Sequence, residues 1–298
     1  MNKRNELTGT QKLTALTRRL VDHIGSLGPV VVAFSGGVDS SVVAAAAVRA
    51  RHDRFESGDL DSTERCLAVT ARSPSLASWQ TDLAIRVAGE IGIKHRFVST
   101  NEQSRDGYRR NHSDRCYYCK STLYHFLQPI ADELNAVILS GTNADDLGDH
   151  RPGIQAGREA QVITPLADLH LTKSEVRSIA QELGLSNADL PASPCLASRI
   201  EYRVDVTPER LARIDAAESW LRRHGLPDLR VRLHSGELAR IEVPRDCFQR
   251  VVEMEMNRSL TNQFRQLGFR HVTLDLVGLR SGSMNEGLVQ INQVGEKS

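Results

Sequence analysis

The chain has 298 residues, of which 40% are hydrophobic and 25% charged, a composition typical of folded globular proteins. Its formal net charge of +1 provides no global attraction for nucleic acid or an anionic membrane, so we expect neither as a partner. The first residues, MNKRNELTGTQK, lack the apolar stretch of an export signal, so we expect a cytoplasmic protein whose five cysteines stay reduced.

The predicted elements alternate between helix and strand over roughly the first 190 residues. Apolar residues at helical spacing predict an amphipathic helix over 13–24. Short apolar runs predict strands over 30–33, 67–70, 95–98 and 136–139, with helices over 41–50 and 76–91. This alternation predicts an α/β fold with a doubly wound parallel sheet, whose ligands bind beyond the carboxyl ends of the strands.

A different pattern begins near residue 204. A helix over 208–224, strands over 229–234 and 238–243, a helix over 247–267 and a strand over 271–276 predict a second, smaller α/β domain with antiparallel strands. We therefore expect an ATP-binding domain over 1–190, a linker with a cysteine over 191–205, and a substrate and oligomerisation domain over 206–298.

The sequence SGGVDSS over 35–41 lies in the turn between the first predicted strand and its helix. In such a turn, backbone N–H groups and the helix N-terminus form a binding site for an anion. Gly36 and Gly37 allow the backbone to approach a phosphate, and Ser35, Ser40 and Ser41 add hydroxyl donors. No lysine follows the glycines, so the turn is not a Walker A loop. It resembles the PP-loop, SGGxDS, of ATP pyrophosphatases, although a tight turn without a ligand is the alternative.

A second polar loop, GTNADDLGDHRPG over 141–153, follows the fourth predicted strand. Its aspartates are hard oxygen ligands suited to the Mg²⁺ that accompanies ATP, although such loops are also found as solvated turns. We expect Asp39 and Asp145 to bind this cation. Further nucleotide contacts are expected from residues at the strand ends: Ala71, Gly141, Thr142 and Arg151.

Three cysteines are candidates for one site. Cys116 and Cys119 form a C-x₂-C pair, and Cys195 lies downstream in PCLASR. The pair alone is compatible with a redox dithiol, half of a zinc site that His112 could extend, part of an iron–sulfur site, or unrelated thiols. Three thiolates with an open fourth position suit a [4Fe–4S] cluster that presents one iron to an outside ligand. The remaining cysteines are expected to be buried thiols: Cys66 and Cys247.

Charged residues beyond Cys195 are candidates for binding an anionic substrate, because arginine matches carboxylate and phosphate groups with two hydrogen bonds. Alternation of such residues with apolar ones is also the pattern of any half-exposed strand. Arg199 is the strongest candidate, four residues past Cys195, and we expect these two residues to act with Asp39 in catalysis. The other expected substrate ligands are Glu201, Arg230, Arg232 and Arg280.

Seven segments occur in order across nearly the whole chain: SGGVDSS, AVTARSPSL, RCYYCKSTL, GTNADDLGDHRPG, LTKSEVR, PASPCLASRI and LDLVGLRSGSMN. Together they resemble the ATP-dependent sulfur transferases of the LarE type, relatives of the PP-loop ATP pyrophosphatases. The PP-loop alone would fit NAD synthetases, GMP synthetases and tRNA thiolases equally well. The two cysteine-containing segments together with the aspartate-rich loop indicate the LarE type more specifically than the PP-loop does.

The resemblance implies an enzyme of nickel-pincer nucleotide cofactor biosynthesis. Such enzymes adenylate a carboxylate of pyridinium-3,5-biscarboxylic acid mononucleotide with ATP, release pyrophosphate, and convert the carboxylate to a thiocarboxylate. In one branch a single cysteine, at the position of Cys195, gives up its sulfur and becomes dehydroalanine. In the other, three cysteines matching Cys116, Cys119 and Cys195 hold a [4Fe–4S] cluster that carries sulfide, and the presence of all three favours this branch. The resemblance also implies Mg²⁺, a sulfide donor and a homo-oligomer.

Two other functions stay open. A PP-loop tRNA thiolase would require a basic face or an RNA-binding domain, and the near-neutral charge gives this little support. A non-catalytic iron–sulfur or zinc protein could sense adenine nucleotide through a vestigial loop. Release of pyrophosphate from ATP, with and without substrate, separates this sensor from either enzyme.

Overall fold

The computed structural model describes residues 9–56, 66–148, 152–280 and 283–284. Contacts divide these residues into two units. Among the described residues, the first unit draws on those up to 73, on 78–102 and on those from 116 to 193, and the second unit on 74–77, on 103–115 and on those from 194 onward. Two short segments from the first half of the chain therefore belong with its second half. The behaviour of 191–205 as a linker stays a prediction.

The elements up to residue 193 follow the predicted alternation of helix and strand. In chain order they are α1 (Gly9–Ser26), β1 (Val30–Ala33), α2 (Val38–Glu56), β2 (Cys66–Arg72), α3 (Ser78–Ile91), β3 (Lys94–Ser99), α4 (Asp106–Arg109), α5 (Arg115–Glu133), β4 (Val137–Leu139), α6 (Pro152–Glu159), α7 (Pro165–Asp168) and α8 (Lys173–Glu182). Of these, β2 is longer than the strand predicted over 67–70, and it includes Ala71.

The four strands of the first unit form one parallel sheet in the order β3-β2-β1-β4. Successive residues of β1 point to opposite faces of this sheet. Val30 and Val32 pack in a core with residues of α1, α2, α3 and α8, whereas Val31 packs with residues of α5. Helices therefore cover both faces, and the predicted doubly wound α/β fold is confirmed.

The second unit contains a smaller sheet. Its later elements are α9 (Pro208–Arg223), β5 (Arg230–His234), β6 (Leu238–Glu242), α10 (Phe248–Met256), α11 (Ser259–Gln266) and β7 (His271–Leu274), with the strands in the order β5-β6-β7. Strands β5 and β6 are antiparallel as predicted, but β6 and β7 are parallel, so the expectation of antiparallel strands is wrong for β7. The helical crossover through α10 and α11 returns the chain to the same end of the sheet, which a parallel pair requires.

The helix predicted over 247–267 is interrupted. Arg258 adopts a left-handed backbone conformation with φ of 51°, which ends α10 and allows α11 to begin at Ser259. No single helix spans this stretch, so that prediction is wrong in its length.

The two cysteines expected to be buried behave differently. Cys66 lies buried in β2, as predicted, and burial raises the pKa of its thiol to about 12. Cys247 is only partly buried, as the last residue of a 3₁₀ turn that precedes α10, so the prediction of a buried thiol is wrong there. No helix in the described part of the chain is long and apolar enough to cross a membrane.

Candidate active site

The phosphate loop, residues 35–41, lies at the carboxyl end of β1 as predicted. Gly36 has a φ of 72°, and a Cβ there would lie 2.9 Å from the Cα of Ala84, so glycine is required. The hydroxyls of Ser40 and Ser41 donate to the carbonyl of Gly37 at 3.0 and 2.9 Å. Because α2 begins at Val38, the unpaired N–H groups of its first turn belong to this loop and can bind an anion.

The loop that follows β4, residues 140–148, packs directly against the phosphate loop. At Gly141 a Cβ would lie 2.7 Å from the backbone nitrogen of Ser40, so only glycine permits this approach. The side chain of Asn143 is buried, and its Nδ2 donates to Oδ1 of Asp39 at 3.1 Å. Its Oδ1 accepts from the N–H of Asp145 at 3.0 Å. The structure thus brings together the two loops that the sequence placed at strand ends.

Helix α8 contributes a cation to the same place. Thr172 and Glu175 form a reciprocal capping box, which fixes Lys173 as the first residue of the helix. The Nζ of Lys173 lies 2.5 Å from Oδ2 of Asp39, and its backbone N–H donates to Oδ2 of Asp145 at 2.8 Å. The sequence analysis did not identify Lys173 as a site residue. Thr172 and Glu175 have the T-x-x-E spacing of a capping box, which predicts the start of a helix at Lys173 but not its contact with Asp39.

The residues predicted to bind Mg²⁺ fit that ion chemically. Asp39 is partly exposed and Asp145 exposed, and both offer the carboxylate oxygens that Mg²⁺ prefers. Within the described ranges, no group of three or more His, Cys, Asp and Glu side chains could hold a metal ion. A magnesium ion here would therefore need further oxygen ligands, of the kind that phosphate groups provide.

A hydrogen-bonded chain leads from β3 to the phosphate loop. The hydroxyl of Thr70 donates to the carbonyl of Phe34, the residue before the loop, at 2.8 Å. The Nε2 of His95 lies 2.8 Å from that hydroxyl oxygen and is the donor, since the hydroxyl proton is already engaged. Burial lowers the pKa of His95, which favours the neutral ring. Ala71, a predicted nucleotide contact, follows Thr70 in β2.

Cys116 and Cys119 lie at the start of α5, about one turn apart on one side of the helix. Cys116 is exposed and Cys119 partly buried, and no disulfide joins any of the five cysteines. Helix α6 packs on this turn at Gly153, where a Cβ would lie 3.1 Å from Cγ of Lys120 and 3.8 Å from Cβ of Cys116. Two accessible thiols one turn apart fit a soft metal or an iron–sulfur cluster as donors.

Cys195 belongs to the second unit, where it precedes a 3₁₀ turn over Leu196–Arg199. Its thiol is partly buried, and its carbonyl accepts from the hydroxyl of Ser198 at 2.7 Å. The N–H of Leu196 donates to the carbonyl of Ser75 at 2.9 Å. The PCLASR segment is thus held by the SPSL segment that follows β2, a pairing that sequence alone did not indicate.

Two of the predicted substrate arginines are buried in ion pairs. Arg199 is 2% exposed and its Nε donates to Glu218 at 3.0 Å. Arg232 is 3% exposed and donates from Nε and Nη2 to one oxygen of Glu242, at 3.1 and 3.0 Å. Both also hold the PCLASR segment, Arg199 through the carbonyl of Pro194 and Arg232 through that of Ser198 at 3.0 Å.

Arg230 differs from these two. It is half-buried, and its Nη1 donates to the carbonyl of Arg280 at 2.8 Å. Among the described residues, no carboxylate lies within ion-pair distance of its guanidinium. Burial and the neighbouring charges of Arg232 and Arg199 lower its pKa. A half-buried arginine without a carboxylate partner is suited to binding an anionic ligand.

The other predicted substrate ligands have protein partners. Glu201 accepts from the N–H of Ser235 at 2.9 Å and lies 3.3 Å from His234. Burial raises the pKa of Glu201, but these contacts outweigh it and the pKa is lowered overall. Arg280 pairs with Asp275 at 3.2 Å. The predicted nucleotide ligand Arg151 lies outside the described residues.

Comparison with known proteins shows the family of this chain. A family model described as asparagine synthase matches residues 12–225. An uncharacterised protein from Synechocystis sp. is 42% identical, over 93% of this chain and 100% of its own length. The pyridinium-3,5-bisthiocarboxylic acid mononucleotide synthase of Lactiplantibacillus plantarum is 36% identical, over 91% of this chain and 94% of its own. The chain therefore belongs to the PP-loop family that the asparagine synthase model describes, and within it to the LarE-type group.

Proposed function

We propose that this protein is an ATP-dependent sulfur transferase of nickel-pincer nucleotide biosynthesis. It adenylates a carboxylate of pyridinium-3,5-biscarboxylic acid mononucleotide and converts that carboxylate to a thiocarboxylate. The observation that carries the proposal is the phosphate loop with Asp39 at the carboxyl end of β1, in a chain similar to a bisthiocarboxylate synthase over 91% of its length.

The first half-reaction makes the carboxylate reactive. A carboxylate oxygen of the substrate attacks the α-phosphorus of ATP, the bond between this phosphorus and the bridging oxygen breaks, and pyrophosphate leaves. The amide groups of the phosphate loop and the start of α2 hold the phosphates. Mg²⁺ bound at Asp39 and Asp145 would neutralise charge on the transferring phosphoryl group. The product is an acyl-adenylate, whose AMP is a good leaving group.

We assign substrate binding in the second unit to Arg230. The substrate carries two carboxylates and a phosphate. Arg230 can bind one of these groups, whereas Arg199 and Arg232 are already paired with carboxylates of the protein. These two buried arginines instead hold the turn that carries Cys195. Their proposed role is therefore to position the Cys195 turn.

For the second half-reaction we propose that Cys116, Cys119 and Cys195 hold a [4Fe–4S] cluster. When bound, it supplies an iron position for the sulfide that becomes the sulfur of the product. Support comes from three free thiols, none of them fully buried, in segments that resemble those of the family.

In the alternative, Cys195 itself donates sulfur. Its Sγ attacks the carbonyl carbon and AMP leaves. The Cα then loses a proton as the Cβ–Sγ bond breaks, which leaves a thiocarboxylate and dehydroalanine at residue 195. Neither Cys116 nor Cys119 is needed for this route.

The proposed function is tested with anaerobically purified protein, Mg·ATP and the biscarboxylate substrate. We expect substrate-dependent pyrophosphate release and a product in which sulfur replaces one carboxylate oxygen by mass spectrometry. Absence of pyrophosphate release with this substrate would overturn the proposal. Release that requires tRNA would identify the thiolase function, and nucleotide binding without any turnover would identify the sensor.

A further inference from the structure

The segment LTKSEVR has no role in the chemistry above, yet its lysine reaches the phosphate loop. Lys173 follows Asp39 by 134 residues, and its Nζ lies 2.5 Å from Oδ2 of that carboxylate. Its backbone N–H also binds Asp145. A single residue therefore contacts both carboxylates that we assign to the divalent cation.

Both oxygens of Asp39 are occupied by donors from the protein. Oδ1 accepts from Asn143, and Oδ2 accepts from Lys173. Asn143 is 3% exposed and is fixed through its own Oδ1 by the N–H groups of Asp145 and Asp146. The Lys173 side chain is 32% exposed and has a long, flexible stem. Each carboxylate oxygen has a second lone pair, but a divalent cation that binds Asp39 meets the positive charge of Lys173 at Oδ2. Of the two donors, Lys173 is the one that can move away from this charge.

We propose that Lys173 is an exchangeable counter-cation of Asp39. It neutralises the carboxylate in the absence of nucleotide and yields it to the divalent cation that arrives with ATP. A metal ion and an ammonium group repel each other at one carboxylate, whereas the several negative charges of a triphosphate stabilise both. The divalent cation therefore binds strongly only together with ATP. This inference rests on the proposed use of ATP at the site.

The test uses Mn²⁺ as the probe, titrated into full-length protein without nucleotide and followed by electron paramagnetic resonance. A partly exposed ion pair is worth up to about 1 kcal/mol, so we expect K173Q to bind Mn²⁺ about two- to fivefold more tightly than the parent protein. K173R retains the charge and should bind Mn²⁺ as weakly as the parent. The gain should be absent when D39N is combined with K173Q.

Lys94→Gln is the matched control, because it removes the same charge from an exposed position of the first unit. The thermal unfolding midpoint of K173Q should fall by no more than about 2–4 °C, since Thr172 and Glu175 retain the helix cap and only one partly exposed ion pair is lost. Equal Mn²⁺ affinity of the parent and K173Q, or an equal gain in K94Q, would overturn the inference. The Mn²⁺ titration needs no substrate, so a failure of the proposed sulfur transfer would be seen separately, as absent pyrophosphate release.

Discussion

The side-chain amide of Asn187 joins the two ends of the phosphate loop. Its Nδ2 donates to the carbonyl of Gly36 at 2.7 Å and to the hydroxyl of Ser41 at 2.9 Å. Asn187 is 3% exposed and lies 151 residues beyond Gly36. Because the carbonyl of Gly36 is held in this way, the peptide groups on either side of it have a defined orientation before any anion binds.

Asn187→Asp should weaken ATP binding. Aspartate has nearly the same size but cannot donate to Gly36 or Ser41, and its charge repels both the carbonyl and a phosphate. We expect a loss of about 1–3 kcal/mol in unfolding free energy and about a tenfold loss of ATP affinity, measured by urea denaturation and calorimetry. Asn257→Asp, at the end of α10, is the control and should change neither. Unaltered ATP affinity in Asn187→Asp would contradict the role of Asn187.

Gly141→Ala should separate the two loops of the first unit. Its methyl group would lie 2.7 Å from the Ser40 nitrogen, so the backbone must shift, at a cost of about 1–3 kcal/mol. We expect lower stability and loss of ATP binding together. Gly148→Ala provides the matched control, since a Cβ there meets no described atom within 4 Å. If both variants bound ATP like the parent, close packing of the loops would not matter for nucleotide binding.

Arg230→Met should weaken substrate binding, whereas Arg232→Met should lower stability. No carboxylate loses its ion-pair partner when Arg230 is replaced, so that variant should fold normally but show a KM for the biscarboxylate substrate raised about tenfold or more. Replacing Arg232 removes two hydrogen bonds from the buried Glu242 and should cost about 3 kcal/mol of stability. Urea denaturation and steady-state kinetics distinguish the two outcomes. A normal KM in folded Arg230→Met would remove Arg230 from the substrate site.

His95 should make stability fall as the pH is lowered. Burial lowers its pKa below the ordinary value of 6.5, so its contribution to stability is complete above pH 6.5 and is lost as the pH falls toward the pKa of the folded state. The unfolding free energy should drop more between pH 7.5 and 5.5 in the parent than in His95→Gln. His52→Gln, at an exposed position, should retain the parent's dependence. Identical pH dependence in His95→Gln and the parent would refute this assignment.

Cysteine variants should separate the two sources of sulfur. In the cluster route, Cys116→Ala and Cys119→Ala lose iron and sulfur transfer while pyrophosphate release continues. In the sacrificial route, both variants keep one sulfur transfer per chain, and the intact protein loses the mass of H₂S after turnover. Cys195→Ala should abolish transfer in either case, and Cys247→Ala should not affect it. Iron analysis and intact-protein mass spectrometry distinguish the cluster route from the sacrificial route.

Features encoded by neighbouring residues could be predicted from the sequence. The strand, glycine turn and helix around Gly36 follow from an apolar run, two glycines and a helix-forming segment, all within about 20 residues. The parallel sheet follows from repetition of the same pattern. Cys66 could be placed in the interior because it lies in an apolar strand.

The tertiary structure alone decided which charged groups meet. Arg230 and Arg232 look alike in sequence, because alternation shows only that they share a face of β5. In the register of β5 with β6, Glu242 lies opposite Arg230, yet its carboxylate pairs diagonally with Arg232. Arg230 donates instead to the carbonyl of Arg280, so of these two arginines only Arg230 can bind an anionic ligand. In the same way, Lys173 meets Asp39 only after the intervening strands and helices have packed. These contacts join residues 10, 50 and 134 positions apart, and no local preference of the chain encodes them.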